Sequence, residues 1–118
     1  NDLEKSKQFY DATLGSLGIA PGQYDPAGRV FYMSPSGNLM ITKPINGEPA
    51  TFANGGTIGF AMATPAQADA WHKAGVENGG TTCEDPPGVR SGGFGNMYLA
   101  YLRDPDGNKL CGFHMMAS

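Results

Sequence analysis

Two cysteines, two histidines and a scatter of carboxylates and cations are what this 118-residue chain offers for chemistry. Cys111 stands out, because Lys109 lies two residues before it and His114 three after. A cysteine becomes a nucleophile when a nearby cation or imidazole lowers its pKa. Strand alternation, however, sends His114 to the opposite face from Cys111, and no third partner is in sight. The plain alternative is a small buried hydrophobe. Cys83 lies in another segment, and the pair lacks metal-ligand spacing, so two free thiols in a reducing cytoplasm are expected. Asp104 and Asp106 are paired carboxylates inside a turn sequence, where they serve turn hydrogen bonding rather than acid–base work. The run Ser91-Gly92-Gly93-Phe94-Gly95 is glycine-rich, yet no predicted helix follows to offer its N terminus to phosphate. Beside it, Arg90 suits a carboxylate or phosphate. Arg90 and Phe94 share the connection 84–96, long enough to be a binding loop.

Composition narrows the classes. The net charge is −3 and the eight Lys and Arg residues are scattered, so nucleic acid is not an expected partner. No stretch approaches the roughly 20 apolar residues of a membrane span, and the polar start is unlike a signal peptide. The expectation is a cytoplasmic protein with no membrane partner. Eighteen glycines and nine prolines imply many turns and short strands. The length fits one domain, 1–118.

What must position these residues emerges from an internal repeat. LEKSKQFYDATLGSLG (3–18) aligns with PAQADAWHKAGVENGG (65–80) at an offset of 62, placing Phe9 on Trp71 and Leu14 on Val76. Asp2 and Thr64 stand where N-caps belong, Pro65 suits a first helical position, and glycines end both helices. FYMSPSGNLMIT (31–42) aligns with YLRDPDGNKLCG (101–112) at an offset of 70, each a turn sequence between apolar runs and therefore a β-hairpin. The second copy reads strand (56–63), helix (64–78), strand (80–84), loop, then hairpin (97–103 and 108–114), a βαβββ module. The first has its helix, a poor strand near 19–25 and a hairpin (29–33 and 38–43). The repeat predicts a strand ahead of the first helix, upstream of Asn1 or supplied by a neighbouring chain. Module one spans 1–43, the linker 44–54 and module two 55–118.

With the repeat in view, DLEKSKQFYDATLGSLG and YLRDPDGNKL resemble the first helix and last hairpin of the vicinal oxygen chelate superfamily, the glyoxalase/bleomycin-resistance/extradiol dioxygenase group. The resemblance covers nearly the whole chain and implies an α+β fold, two βαβββ modules around a cleft of mixed sheet with helices outside. It also implies a metal ligand from the first strand of each module and a carboxylate from the last. The matching positions here are Thr57, Ile41 and Cys111, with the remaining one upstream of Asn1. Thr57 is an indifferent ligand, Ile41 is none, and Cys111 alone suits a soft ion. A catalytic zinc site typically needs three protein ligands, so no metal site and no cofactor are predicted, a divalent ion by another ligand set being the exception.

Alternation then proposes the cleft lining. Thr57, Gly59 and Ala61 share one side of their strand, with the bulkier Ile58, Phe60 and Met62 opposite, under the helices. Lys109, Cys111 and Phe113 share a side, as do Leu39, Ile41 and Lys43. Tyr98 and Tyr101 lie on opposite faces of the next strand, and Tyr98 is the candidate. The predicted ligand-binding set is Thr57, Gly59, Cys111, Phe113, Ile41, Arg90, Phe94 and Tyr98. With it comes a small apolar or aromatic ligand, held in a homodimer as in similar bleomycin-resistance proteins. A glyoxalase-like lyase or isomerase, or a dioxygenase-like enzyme, with an atypical metal site is the first alternative. An interaction domain with a closed pocket is the second.

Overall fold

The computed structural model describes residues 1–93 and 95–116. Helix α1 (Leu3–Gly15) starts where Asp2 accepts the Lys5 N–H at 3.2 Å. It buries Ser6, Phe9, Tyr10, Thr13 and Leu14, the three-and-four spacing of one helical face. Helix α2 (Pro65–Glu77) is capped in the same way by Thr64, which accepts the Gln67 N–H at 3.1 Å, and it buries Ala68, Trp71 and Gly75. Both caps satisfy N–H groups that a helix cannot pair internally.

The strands form two sheets. β1 (Gln23–Tyr24), β2 (Val30–Ser34) and β3 (Gly37–Ile41) make an antiparallel sheet in that order. In the larger sheet β4 (Ile58–Ala61) lies parallel to β8 (Lys109–Met115), and β8 pairs antiparallel with β7 (Gly95–Arg103). The far edge of β7 carries two partners in line, β5 (Thr81–Thr82) and β6 (Gly88–Gly92). The stretch 84–96, expected as a loop, therefore contains a strand. Its glycines fall where they do little harm to pairing: Gly92 faces Gly95 at the end of the ladder, and Gly95 has a φ of +98°. β4 is shorter than the expected 56–63, which leaves Thr57 just outside it and exposed.

Relative to the repeat, the strand registers of the two hairpins differ by one residue. In the second, Arg103 pairs with Lys109 across five residues; in the first, Ser34 pairs with Gly37 across two. Asp104 holds the wider turn, accepting the N–H groups of Asp106 (3.0 Å) and Asn108 (2.9 Å) and the Asn108 amide (2.9 Å). Ser34, its counterpart in the repeat, instead donates its hydroxyl to the Gly37 carbonyl at 2.7 Å in a tighter turn. Phe31 therefore pairs with Met40, whereas Tyr101 pairs with Cys111. A slip of one residue turns a whole strand over. Ile41 pairs with the buried Val30 and Leu39 with the buried Tyr32, and both pack on the core. The expectation that Ile41 faces the cleft is corrected by this register.

One core joins the halves. Phe9, Tyr10, Leu14, Val30 and Tyr32 meet Met62, Ala68, Trp71, Ala100, Leu102 and Leu110. Trp71 lies on Gly112, where a Cβ would stand 2.9 Å from Met62 Cε and 3.1 Å from the indole. Phe9 crosses to the second half, lying so close to Gly80 that a Cβ there would be 2.4 Å from its ring.

Candidate functional site

Paired residues in a sheet share a face, and α2 covers one face of the larger sheet. Ala100, Leu102, Leu110 and Gly112 lie under it. Tyr98 is on that side too and donates its hydroxyl to Asp69 of α2 at 2.6 Å. His114 pairs with Tyr98 and contacts the Met62 carbonyl through Nδ1 at 3.0 Å, so no Cys–His pair forms.

The other face carries Leu99, Tyr101, Cys111 and Phe113, linked by the pairs Leu99 with Phe113 and Tyr101 with Cys111. Gly59 and Ala61 flank Cys111 and Phe113 from β4. A Cβ on Gly59 would sit 3.3 Å from the Phe113 ring, so a larger residue there would crowd this face.

Cys111 is buried, with its sulfur 3.8 Å from the Gly112 carbonyl. Burial pushes its thiol pKa up; the Tyr101 hydroxyl and the charges of Lys109 and Arg90 pull it down without prevailing. Tyr101 is raised as well, by burial and by the neighbouring Cys111 and Glu84. At neutral pH this is a thiol beside a phenol, and neither is an activated nucleophile. Lys109 lies over the Tyr101 ring, 5.1 Å from its centroid, and is paired with Glu84. Glu84 has a φ of +58°, a left-handed backbone that costs energy in a non-glycine residue.

Arg90 lies at the margin of this face. Its guanidinium donates to the carbonyls of Gly88 (2.8 Å), Pro86 (2.9 Å) and Asp85 (3.1 Å), bracing the chain between β5 and β6. Of the predicted set, then, Gly59, Cys111 and Phe113 come together, with Arg90 beside them. Thr57 is exposed ahead of β4, Ile41 turns to the core and Tyr98 to the helix. Phe94 lies outside the described residues. The sequence reading missed Leu99 and Glu84, and of the two tyrosines on opposite faces it chose Tyr98 over Tyr101. Tyr101 was within reach of it, because Ala100 and Leu102 on either side are the residues the helix must cover.

A slot of about 370 Å³ adjoins this face. It opens between β3 and β4, the outermost strands of their sheets, and Leu14, Leu17, Ile19, Ile58, Phe60 and Phe113 make its walls apolar.

The model of the Glyoxalase/Bleomycin resistance protein/Dioxygenase superfamily matches residues 1–111. The chain belongs to this superfamily. A solved glyoxalase/bleomycin resistance protein from Albidiferax ferrireducens T118 is 63% identical, with a TM-score of 0.94 over 98% of this chain and 92% of that one. A glyoxalase-related enzyme from Fulvimarina pelagi shares the fold at 18% identity and a TM-score of 0.72, over 98% and 81% of the two chains. A superfamily protein from Burkholderia phytofirmans PsJN does so at 14% and 0.70, over 98% and 92%. No curated protein matches.

Dioxygenase chemistry within the superfamily raises the question of a metal. The Cys111 face offers a protonated thiol, a phenol and a carboxylate tied to Lys109. No group of three or more His, Cys, Asp or Glu residues able to hold an ion occurs among the described residues. This donor set does not fit a three-ligand metal site.

Proposed function

We propose that this superfamily member binds a small, largely apolar or aromatic molecule on the helix-free face of its larger sheet. One observation carries the reading: Leu99, Tyr101, Cys111 and Phe113 share one face of the sheet with the small Gly59 and Ala61, so a mainly apolar surface meets few polar groups. Binding sites for small molecules commonly have that make-up. A ligand ring stacks on Phe113 above Gly59, and the Tyr101 hydroxyl and Lys109 ammonium orient its polar end. The Cys111 thiol, whose raised pKa keeps it from being an activated nucleophile, supports binding rather than turnover.

Thermal shifts against a panel of planar aromatic compounds test this, since a ligand stabilises the folded state by RT ln(1 + [L]/Kd). A hit should be lost in Gly59→Leu, which fills the space beside Phe113, and kept in Tyr98→Phe, on the far face. A hit that Gly59→Leu leaves intact would move the site elsewhere. Pairing of two copies belongs to the same reading, supported by exposed apolar side chains at Val89 and Met115. Sedimentation equilibrium giving one chain mass, 12.4 kDa, would remove it.

A further inference from the structure

At the edge of the apolar face the chain bulges, and the bulge sets a carboxylate on Lys109. β5 ends with Thr82 opposite Leu102, and β6 begins with Gly88 opposite Leu99. Five residues, 83–87, therefore stand across from two, Ala100 and Tyr101. Extra residues of this kind bend a strand and re-aim a side chain. The side chain is that of Glu84, the one non-glycine residue with a positive φ among the described residues. Its value of +58° is a conformation such a residue takes only at a cost. Arg90 holds the bulge in place, donating to the carbonyls of Asp85, Pro86 and Gly88.

The Glu84 carboxylate pairs with Lys109, whose ammonium lies over the Tyr101 ring. Tyr101 in turn pairs across the strands with Cys111. Both stay protonated at neutral pH, burial being the first cause and the Glu84 charge a lesser one. Ammonium, phenol and thiol are all donors, and the acceptor set among them is Glu84. Its hold is weak. The Glu84 side chain is 45% exposed and that of Lys109 26%, so water screens the pair, and such pairs add little to stability. Letting go of Lys109 also frees the Glu84 backbone from its left-handed conformation.

We propose that Glu84 stands in for a ligand carboxylate: the molecule taken by this face is an aromatic or apolar monocarboxylate, which displaces Glu84 from Lys109 and lays its apolar body towards Phe113. The inference rests on the ligand reading above and adds the charge of the ligand and the residue that competes with it. On the empty face, Glu84 neutralises an ammonium that would otherwise stand alone beside apolar side chains. A neutral molecule of the same shape leaves the ion pair closed and gains nothing from Lys109.

The test uses acids and amides of matched shape: cinnamate, 2-naphthoate and indole-3-acetate, each against its primary amide. Titration calorimetry gives their dissociation constants for the parent, for Glu84→Gln, for Glu84→Gly, which suits the left-handed backbone, and for the double variant Glu84→Gln with Lys109→Gln. The expected result is a preference for acid over amide that rises by about tenfold or more in both single variants, the scale of one charge-assisted hydrogen bond, and is lost in the double variant. An unchanged preference overturns the proposal, while binding of the amides leaves the ligand reading standing. A raised preference that survives in the double variant overturns it too, because relief of repulsion rather than a vacated Lys109 would be the cause. Binding of neither acids nor amides at millimolar concentration, by any form, overturns the ligand reading and this inference together.

Discussion

Cys111 shows how little a residue type says without its surroundings. Its thiol is buried between strands and its pKa is raised, so packing rather than nucleophilicity explains it. Cys111→Ala should leave ligand affinity within about 1 kcal/mol of the parent, the range for a small core truncation away from the chemistry. Alkylation supplies the second readout: a raised pKa means that Cys111 should react only at higher pH than a free cysteine. Rapid labelling at neutral pH would make it a thiolate and overturn the packing account. Asp11 gives the converse case. Burial would raise its pKa, but hydrogen bonds from Lys7, the Gly22 N–H and the Tyr32 hydroxyl outweigh it and leave it lowered. A carboxylate depressed in the folded state stabilises above its unfolded pKa, about 3.9, and loses that contribution as pH falls through the folded value. The melting temperature of Asp11→Asn should therefore lie below the parent's at pH 7 and converge with it in acid. A gap that persists at low pH would mean that the hydrogen bonds act without the charge.

At the scale of elements, the hairpin registers decide which side chains reach which face. With Ile41 on the core side, Ile41→Lys should cost about 2–4 kcal/mol in denaturant unfolding, and Met40→Lys, on the exposed side, less than about 1 kcal/mol. The opposite ranking would show that the first hairpin keeps the register of the second. The helices were legible in the sequence because their signals are local: Asp2 and Thr64 as caps, Phe9 and Trp71 on the buried faces. The α+β class and the repeat were legible for the same reason. Hidden was the count of residues in each turn, since Ser34 and Asp104 align well yet hold turns of different width. That one-residue difference removed Ile41 from the proposed face. Glycines at the ladder end and Gly88 likewise disguised β6 as a loop, because pairing, not side-chain pattern, makes it a strand.

Across the whole molecule, α1 ties the halves together. Tyr10 donates to Asp104 at 2.5 Å, in the turn of the opposite hairpin, and Asn1 and Ser6 reach Asp106 beside it. Shared contacts of this kind favour a single cooperative transition. Trp71, the one tryptophan, reports the second half by fluorescence, while far-UV circular dichroism reports both. The two unfolding curves should coincide, and separate midpoints would show that the halves melt independently. The turn beside Ser34 carries one more consequence. Two copies of one ancestral unit in register would give the molecule an approximate dyad, and a ligand with two-fold symmetry could then bind in either sense at equal cost. The slipped strand cancels that dyad where it matters, because Ile41, the counterpart of Cys111 in the repeat, packs against the core instead. A molecule bound as proposed would therefore meet unlike side chains at its two ends.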